Sequence, residues 1–122
     1  MTEHDDRRRE PRVPTRIQVD CTAASTFLFA YITDISSLGI FITTPESQDP
    51  GTRITLRFNP PDEVRGSVSN PDAPFELDGV VRWRSSAGAH EPGMGIEFIA
   101  IAEETRNRLL ELINAIAYLD DE

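Results

Sequence analysis

Apolar and polar positions alternate along most of this chain. Ile17, Val19 and Cys21 are separated by Gln18 and Asp20 and preceded by Arg16, the period-two pattern of a half-buried strand. Phe27 to Thr33 is apolar and aromatic and predicts a second strand. Asp34 to Gly39 interrupts it with turn-forming residues. Ile40 to Thr43 predicts a third strand, and Pro50-Gly51 a turn. Ile54, Leu56 and Phe58 then alternate with Arg53, Thr55 and Arg57. Phe75, Leu77, Gly79, Val81 and Trp83 share one face of a longer strand, with Glu76, Asp78, Arg82 and Arg84 assigned to the other. Met94, Ile96 and Phe98 line a last strand. The period changes at Glu103 to Leu119, where Leu109, Leu112, Ile113 and Ile116 follow helical spacing. Glu103 and Glu104 fall in the first turn, which the helix dipole favours. Short strands followed by one helix predict a mainly β fold: a six-stranded antiparallel barrel with a C-terminal α-helix packed on it. Closure of the barrel protects strand edges.

The flanks and one insert depart from this pattern. Residues 1–6 are polar and predict a disordered tail. Residues 7–14, with two prolines and no apolar periodicity, predict an extended arm. The barrel is assigned to 15–100 and the helix to 103–119. Asn59 to Pro74 contains four prolines and reads as a long surface loop, either an interaction surface or an insertion.

Composition narrows the function classes. The 122 residues are one domain's worth. No apolar run approaches the ~20 residues that span a bilayer, and the N-terminus is charged, so a cytoplasmic location is expected. The single cysteine, Cys21, sits in an alternating apolar pattern and is expected in the core. A net charge of −9 disfavours duplex nucleic acid and membrane surfaces as partners. Against that acidity, all twelve basic residues are arginine, and five of them lie within Arg7 to Arg16. An arginine-rich proteome would explain the missing lysine but not the clustering.

Two pieces carry chemistry: Arg7-Arg8-Arg9-Glu10-Pro11-Arg12 and Asp34-Ile35-Ser36-Ser37-Leu38-Gly39. Alone, each has a plain account. Asp and Ser cap local backbone N–H groups in turns, and Gly supplies a positive φ. An arginine-rich terminus is often a solvated tail.

Together they resemble the signature of the PilZ domain family: Arg7-Arg8-x-x-x-Arg12, a strand pair, then Asp34-x-Ser36-x-x-Gly39. Gly79-Val80-Val81-Arg82-Trp83 and Gly93-Met94-Gly95-Ile96-Glu97-Phe98 are similar to that family's last barrel strands. The resemblance implies a PilZ-type barrel over residues 7–122 that binds the bacterial second messenger cyclic di-GMP, as a ligand and not a catalytic cofactor. Arginine suits that ligand. It forms two parallel bonds to the O6/N7 edge of guanine, forks onto phosphate, and stacks on a base. The ligand residues implied are Arg7, Arg8, Arg12, Asp34, Ser36 and Gly39. Asp34 is an acceptor for guanine N–H groups, Ser36 a donor, and Gly39 a point of close backbone approach. An arginine at position 7 looks like the variety that accepts a stacked pair of ligands. Arg9 and Trp83 are further candidates, although the alternation of Trp83 with Val81 and Leu77 favours core packing.

The resulting expectation is a receptor whose arm orders on ligand binding and signals to an unidentified protein effector in motility or exopolysaccharide control. It acts as a monomer or a homodimer. The alternative is a PilZ-fold interaction adaptor that does not respond to the nucleotide. An enzyme is not expected: His4 and His90 lie in a tail and a Gly-rich loop, Cys21 and Ser36 have no evident base, and no metal-ligand spacing appears.

Overall fold

The computed structural model describes residues 12–85 and 92–120. Arg7, Arg8, Arg9, His4 and His90 lie outside the described residues. Six strands form a closed barrel: β1 (Val13–Ala23), β2 (Thr26–Ile35), β3 (Gly39–Thr43), β4 (Arg53–Phe58), β5 (Phe75–Arg84) and β6 (Gly93–Ile99). Every pairing is antiparallel, and the order around the barrel is β1-β2-β3-β6-β5-β4, with β4 returning to β1. Helix α1 (Glu103–Asp120) follows.

The predicted alternation fills the interior. Ile17, Val19 and Cys21 of β1, Ile54, Leu56 and Phe58 of β4, and Met94 and Ile96 of β6 are all buried. Leu109, Leu112, Ile113 and Ile116 of α1 join the same cluster, so the helix completes the core. Each such side chain contributes roughly 1.5–3 kcal/mol of burial.

Three boundaries differ from expectation. β1 starts at Val13, so the arm ends at Arg12 and Pro14 lies within a strand. Proline is tolerated there because β1 pairs with β4 only over Asp20–Ala23, which leaves the other edge of Pro14 without a ladder to donate to. Asp34 and Ile35 belong to the end of β2, and the turn proper is Ser36 to Leu38. The stretch 59–74 is also more ordered than a plain surface loop. It contains a 3-10 helix (Asp62–Ser67), with Val64 and Val68 buried in the core cluster.

Arg108 of α1 fixes that stretch. Its guanidinium donates to the carbonyls of Ser69 (2.8 Å), Asn70 (3.0 Å) and Ala73 (2.8 Å) and lies 4.2 Å from the centroid of the Phe75 ring. Glu111, about one turn on, accepts from the Ser69 N–H and hydroxyl at 2.8 and 2.9 Å, and these bonds hold its carboxyl below the usual carboxylate range. The sequence pattern singles out neither residue. Arg108 occupies the buried stripe of α1 beside Leu109 and Leu112, where a charge is retained only with partners.

Candidate functional site

Each of the three register irregularities among the described ladders lies in the same part of the wall. On β1, Thr15 and Arg16 together oppose Thr33, because pairing passes from Pro14↔Asp34 to Ile17↔Ile32. On β2, Thr33 is itself an extra residue against β3, between Ile32↔Ile42 and Asp34↔Phe41. On β5, Arg82 is extra against β6, between Val81↔Ile96 and Trp83↔Gly95. Bulges of this kind re-aim side chains and interrupt an otherwise uniform wall. Here they surround a cavity of about 390 Å³ lined by Arg12, Thr33, Asp34, Phe41 and Trp83.

The cavity's aromatic wall depends on a glycine. Gly95 of β6 pairs with Phe41 on one side and Trp83 on the other. Their two strands are therefore separated by the whole width of β6. With no side chain between them, the rings reach over Gly95 and stack at 5.2 Å between centroids, with 28° between planes. A Cβ on Gly95 would stand 2.3 Å from the indole Nε1. The second glycine of Gly93-Met94-Gly95 thus makes room for rings from flanking strands.

Trp83 corrects the expectation of core packing: it is 51% exposed. The bulge at Arg82 shifts the alternation by one residue, so Val81 stays inside and Trp83 turns out.

The polar wall is formed by Asp34 and Arg12. Arg12 immediately precedes β1, and its Nε lies 3.5 Å from Asp34 Oδ1, with both side chains partly exposed. Asp34 Oδ1 itself is shielded from solvent and has no hydrogen-bond partner among the described residues. An oxygen that is shielded from solvent and meets its cation without a hydrogen bond keeps the capacity to accept one from a ligand. Beside it, the hydroxyls of Thr33 and Thr43 lie 3.1 Å apart.

Ser36 and Gly39 stand apart from the cavity lining. Ser36 Oγ accepts from the N–H groups of Leu38 and Gly39 and donates to the Gly39 carbonyl, each at 3.3 Å. That uses a hydroxyl's one donor and two acceptor sites, so the side chain is committed to the turn. Gly39 does not adopt a positive φ; among the described glycines only Gly51 does. Its requirement is close approach to a strand: a Cβ would lie 2.2 Å from the Ile96 carbonyl oxygen across the β3–β6 seam. These two residues shape the corner that presents Asp34. Of the expected site residues, the structure therefore brings together Arg12, Asp34 and Trp83. It adds Phe41 and Thr33, which the sequence reading misses. The glycine pair at 93 and 95 is the available signal for the aromatic wall.

Among the described residues, no cluster of His, Cys, Asp or Glu is arranged to hold a metal ion, and no helix is long and apolar enough to cross a membrane.

The PilZ domain family model matches residues 6–115. The chain belongs to the PilZ domain family. No significant sequence match is found among curated proteins. Among solved structures, this PilZ domain is similar to the c-di-GMP-bound PilZ domain of YcgR from Escherichia coli. The TM-score is 0.72 at 14% identity, covering 93% of this chain and 94% of that one. It is similar to the inhibitor of motility MotI/DgrA of Bacillus subtilis (TM-score 0.69, 20% identity), covering 95% of this chain and 53% of that chain. A third relative in fold is the PilZ domain of CeSA from a cellulose-synthesizing bacterium (TM-score 0.55, 18% identity), covering 90% of this chain and 98% of that one. At these identities the likeness is one of fold.

Proposed function

We propose that this PilZ domain is a receptor for cyclic di-GMP. The observation that carries the reading is the placement of Arg12 beside Asp34, whose shielded Oδ1 accepts no hydrogen bond among the described residues, at an aromatic-walled cavity. Guanine has a face to stack, an O6/N7 edge that accepts two parallel bonds, and N1–H and N2–H₂ groups that donate. Trp83 and Phe41 offer the stacking surface, Arg12 the donor fork, and Asp34 the acceptor. Ligand N–H groups displace the long Arg12–Asp34 contact and free the guanidinium to turn onto the base or a phosphate. Ser36 and Gly39 act by holding the corner. Arg7 and Arg8 bring further guanidinium groups to the phosphates as the arm closes over the ligand, with Arg9 as an additional contact. An arginine at position 7 favours a stacked pair of ligands. The ordered arm then forms a new surface for a protein effector, an order–disorder switch. The E. coli YcgR domain, solved with this dinucleotide, supports the reading through shared fold.

Calorimetric titration with cyclic di-GMP, with cyclic di-AMP as control, tests it. Wild type is expected to bind the guanine ligand alone, and Arg12→Ala to lose about 2–4 kcal/mol, roughly 30- to 1000-fold. Asp34→Ala is expected to weaken binding while the melting temperature stays near wild type. A wild-type domain silent at high ligand concentration, or an Arg12→Ala variant with unchanged affinity, refutes the proposal. Silence would favour the nucleotide-independent adaptor instead.

A further inference from the structure

Most described arginines have a clear structural partner. Arg12, Arg57, Arg65, Arg82 and Arg84 each meet a carboxylate, and Arg108 is used on backbone carbonyls. Arg16 differs. It is exposed and meets no carboxylate among the described residues, and its guanidinium carbon lies 4.2 Å from the centroid of the Tyr31 ring. The ring supports one face of the cation and leaves the in-plane N–H fork open to a ligand.

Its position follows from the β1 bulge. Thr15 and Arg16 oppose Thr33, and Thr33 is a wall of the cavity that holds Arg12 and Asp34. Tyr31 and Thr33 are alternate residues of β2 on either side of the buried Ile32, so both lie on the outward face of that strand. Arg16 also borders a larger groove of about 770 Å³. That groove is lined as well by Asp20, Asp62 and Asp72, which disfavour an anion deeper within it. Neither Tyr31 nor Thr33 lines that acidic groove.

We propose that Arg16 is a further arginine of the ligand site, holding a phosphate of cyclic di-GMP that projects from the cavity across Thr33 onto Tyr31. The inference rests on the receptor reading above. Arg8, Arg12 and Arg16 then recur every four residues, and Arg16 belongs to strand β1.

The test is titration of wild type, Arg16→Gln, Arg16→Lys and Tyr31→Leu with cyclic di-GMP at low and high salt, with a melting curve for each. Arg16→Gln is expected to weaken binding at least about tenfold at low salt, with the gap narrowing at high salt as screening removes the charge contribution. Arg16→Lys is expected to recover part of the loss. Tyr31→Leu is expected to lose less affinity than Arg16→Gln, because the charge remains. Wild-type affinity in Arg16→Gln, beside a wild-type domain that binds, overturns this inference and leaves the receptor reading intact. So do equal losses of affinity and melting temperature in Arg16→Gln and Tyr31→Leu, which make the pair a staple between β1 and β2. Failure of wild type to bind overturns both.

Discussion

Replacing Gly95 with alanine tests the aromatic wall through one added methyl group. The new Cβ would stand 2.3 Å from Trp83 Nε1 and 2.6 Å from Cε2, against the 3.4–4 Å of ordinary contact. Close-packed atoms do not interpenetrate, so the indole must move outward by more than about 1 Å to make up the shortfall. It can do so because Trp83 is half exposed, with its ring stacked on Phe41. Breaking that stack costs about 0.5–1.5 kcal/mol, which lowers the melting temperature by roughly 2–8 °C in a domain of this size. Affinity is expected to suffer more. Base–aromatic stacking is worth about 1–3 kcal/mol, so displacing the ring from its place in the cavity is expected to weaken binding at least about fivefold. Trp83 is the only tryptophan, so emission reports this site alone. The readout is a red-shifted emission maximum in Gly95→Ala, with calorimetry for affinity and circular dichroism for the melt. A variant with the wild-type emission maximum and affinity would show that the Gly95 gap does not position the ring, and the aromatic wall would lose its place in the site.

Gly39→Ala meets backbone where Gly95→Ala meets a side chain, since the added Cβ falls 2.2 Å from the Ile96 carbonyl oxygen. It is expected to part the β3–β6 seam at a cost of about 1–3 kcal/mol, read as a lowered urea midpoint. Arg108→Ala removes the donors that hold the 59–74 stretch and is expected to cost about 2–4 kcal/mol and open that stretch to limited proteolysis, with cyclic di-GMP affinity unchanged. Burial pushes the Cys21 thiol up to about 12. It is therefore expected to resist a thiol reagent at pH 8 until urea unfolds the barrel, and rapid labelling of the native protein would contradict its place in the core.

The strands and the helix are legible in the sequence because each obeys one local rule over its length. Period two places Ile17, Val19 and Cys21 inside, and helical spacing places Leu109, Leu112 and Ile116 against them. The site is less legible because its geometry consists of departures from those rules. Trp83 has the parity of a core residue and faces solvent because Arg82 is bulged. Phe41 reads as an ordinary strand residue, and only the pairing Phe41↔Gly95↔Trp83 brings the two rings together. Ser36 and Gly39 are turn-forming, as their residue types suggest, and are not among the residues that line the cavity. A linear motif marks which residues the corner needs without saying which support it and which line it. Arg108 escapes notice because its partners are main-chain carbonyls some 34–39 residues away, and carbonyls leave no mark in side-chain identity.

The same departures explain how a closed barrel acquires a recess. Uniform ladders would turn alternate side chains outward in regular rows and leave a flat wall. Bulges in β1, β2 and β5 at one level instead displace Arg16, Thr33 and Trp83 relative to that grid. The glycine gap in β6 lets the rings reach across a strand, and the Ser36 turn ends β2 soon after Asp34. The first residue before β1 is Arg12, so the pairing Val13↔Ile35 that begins the barrel also delivers the arm's last guanidinium to Asp34. Because the recess lies on the outer wall and the core cluster lies within, the residues that would meet ligand differ from those that hold the fold. Changes at Arg12, Arg16 and Trp83 are therefore expected to alter recognition far more than stability, whereas Arg108→Ala is expected to do the reverse.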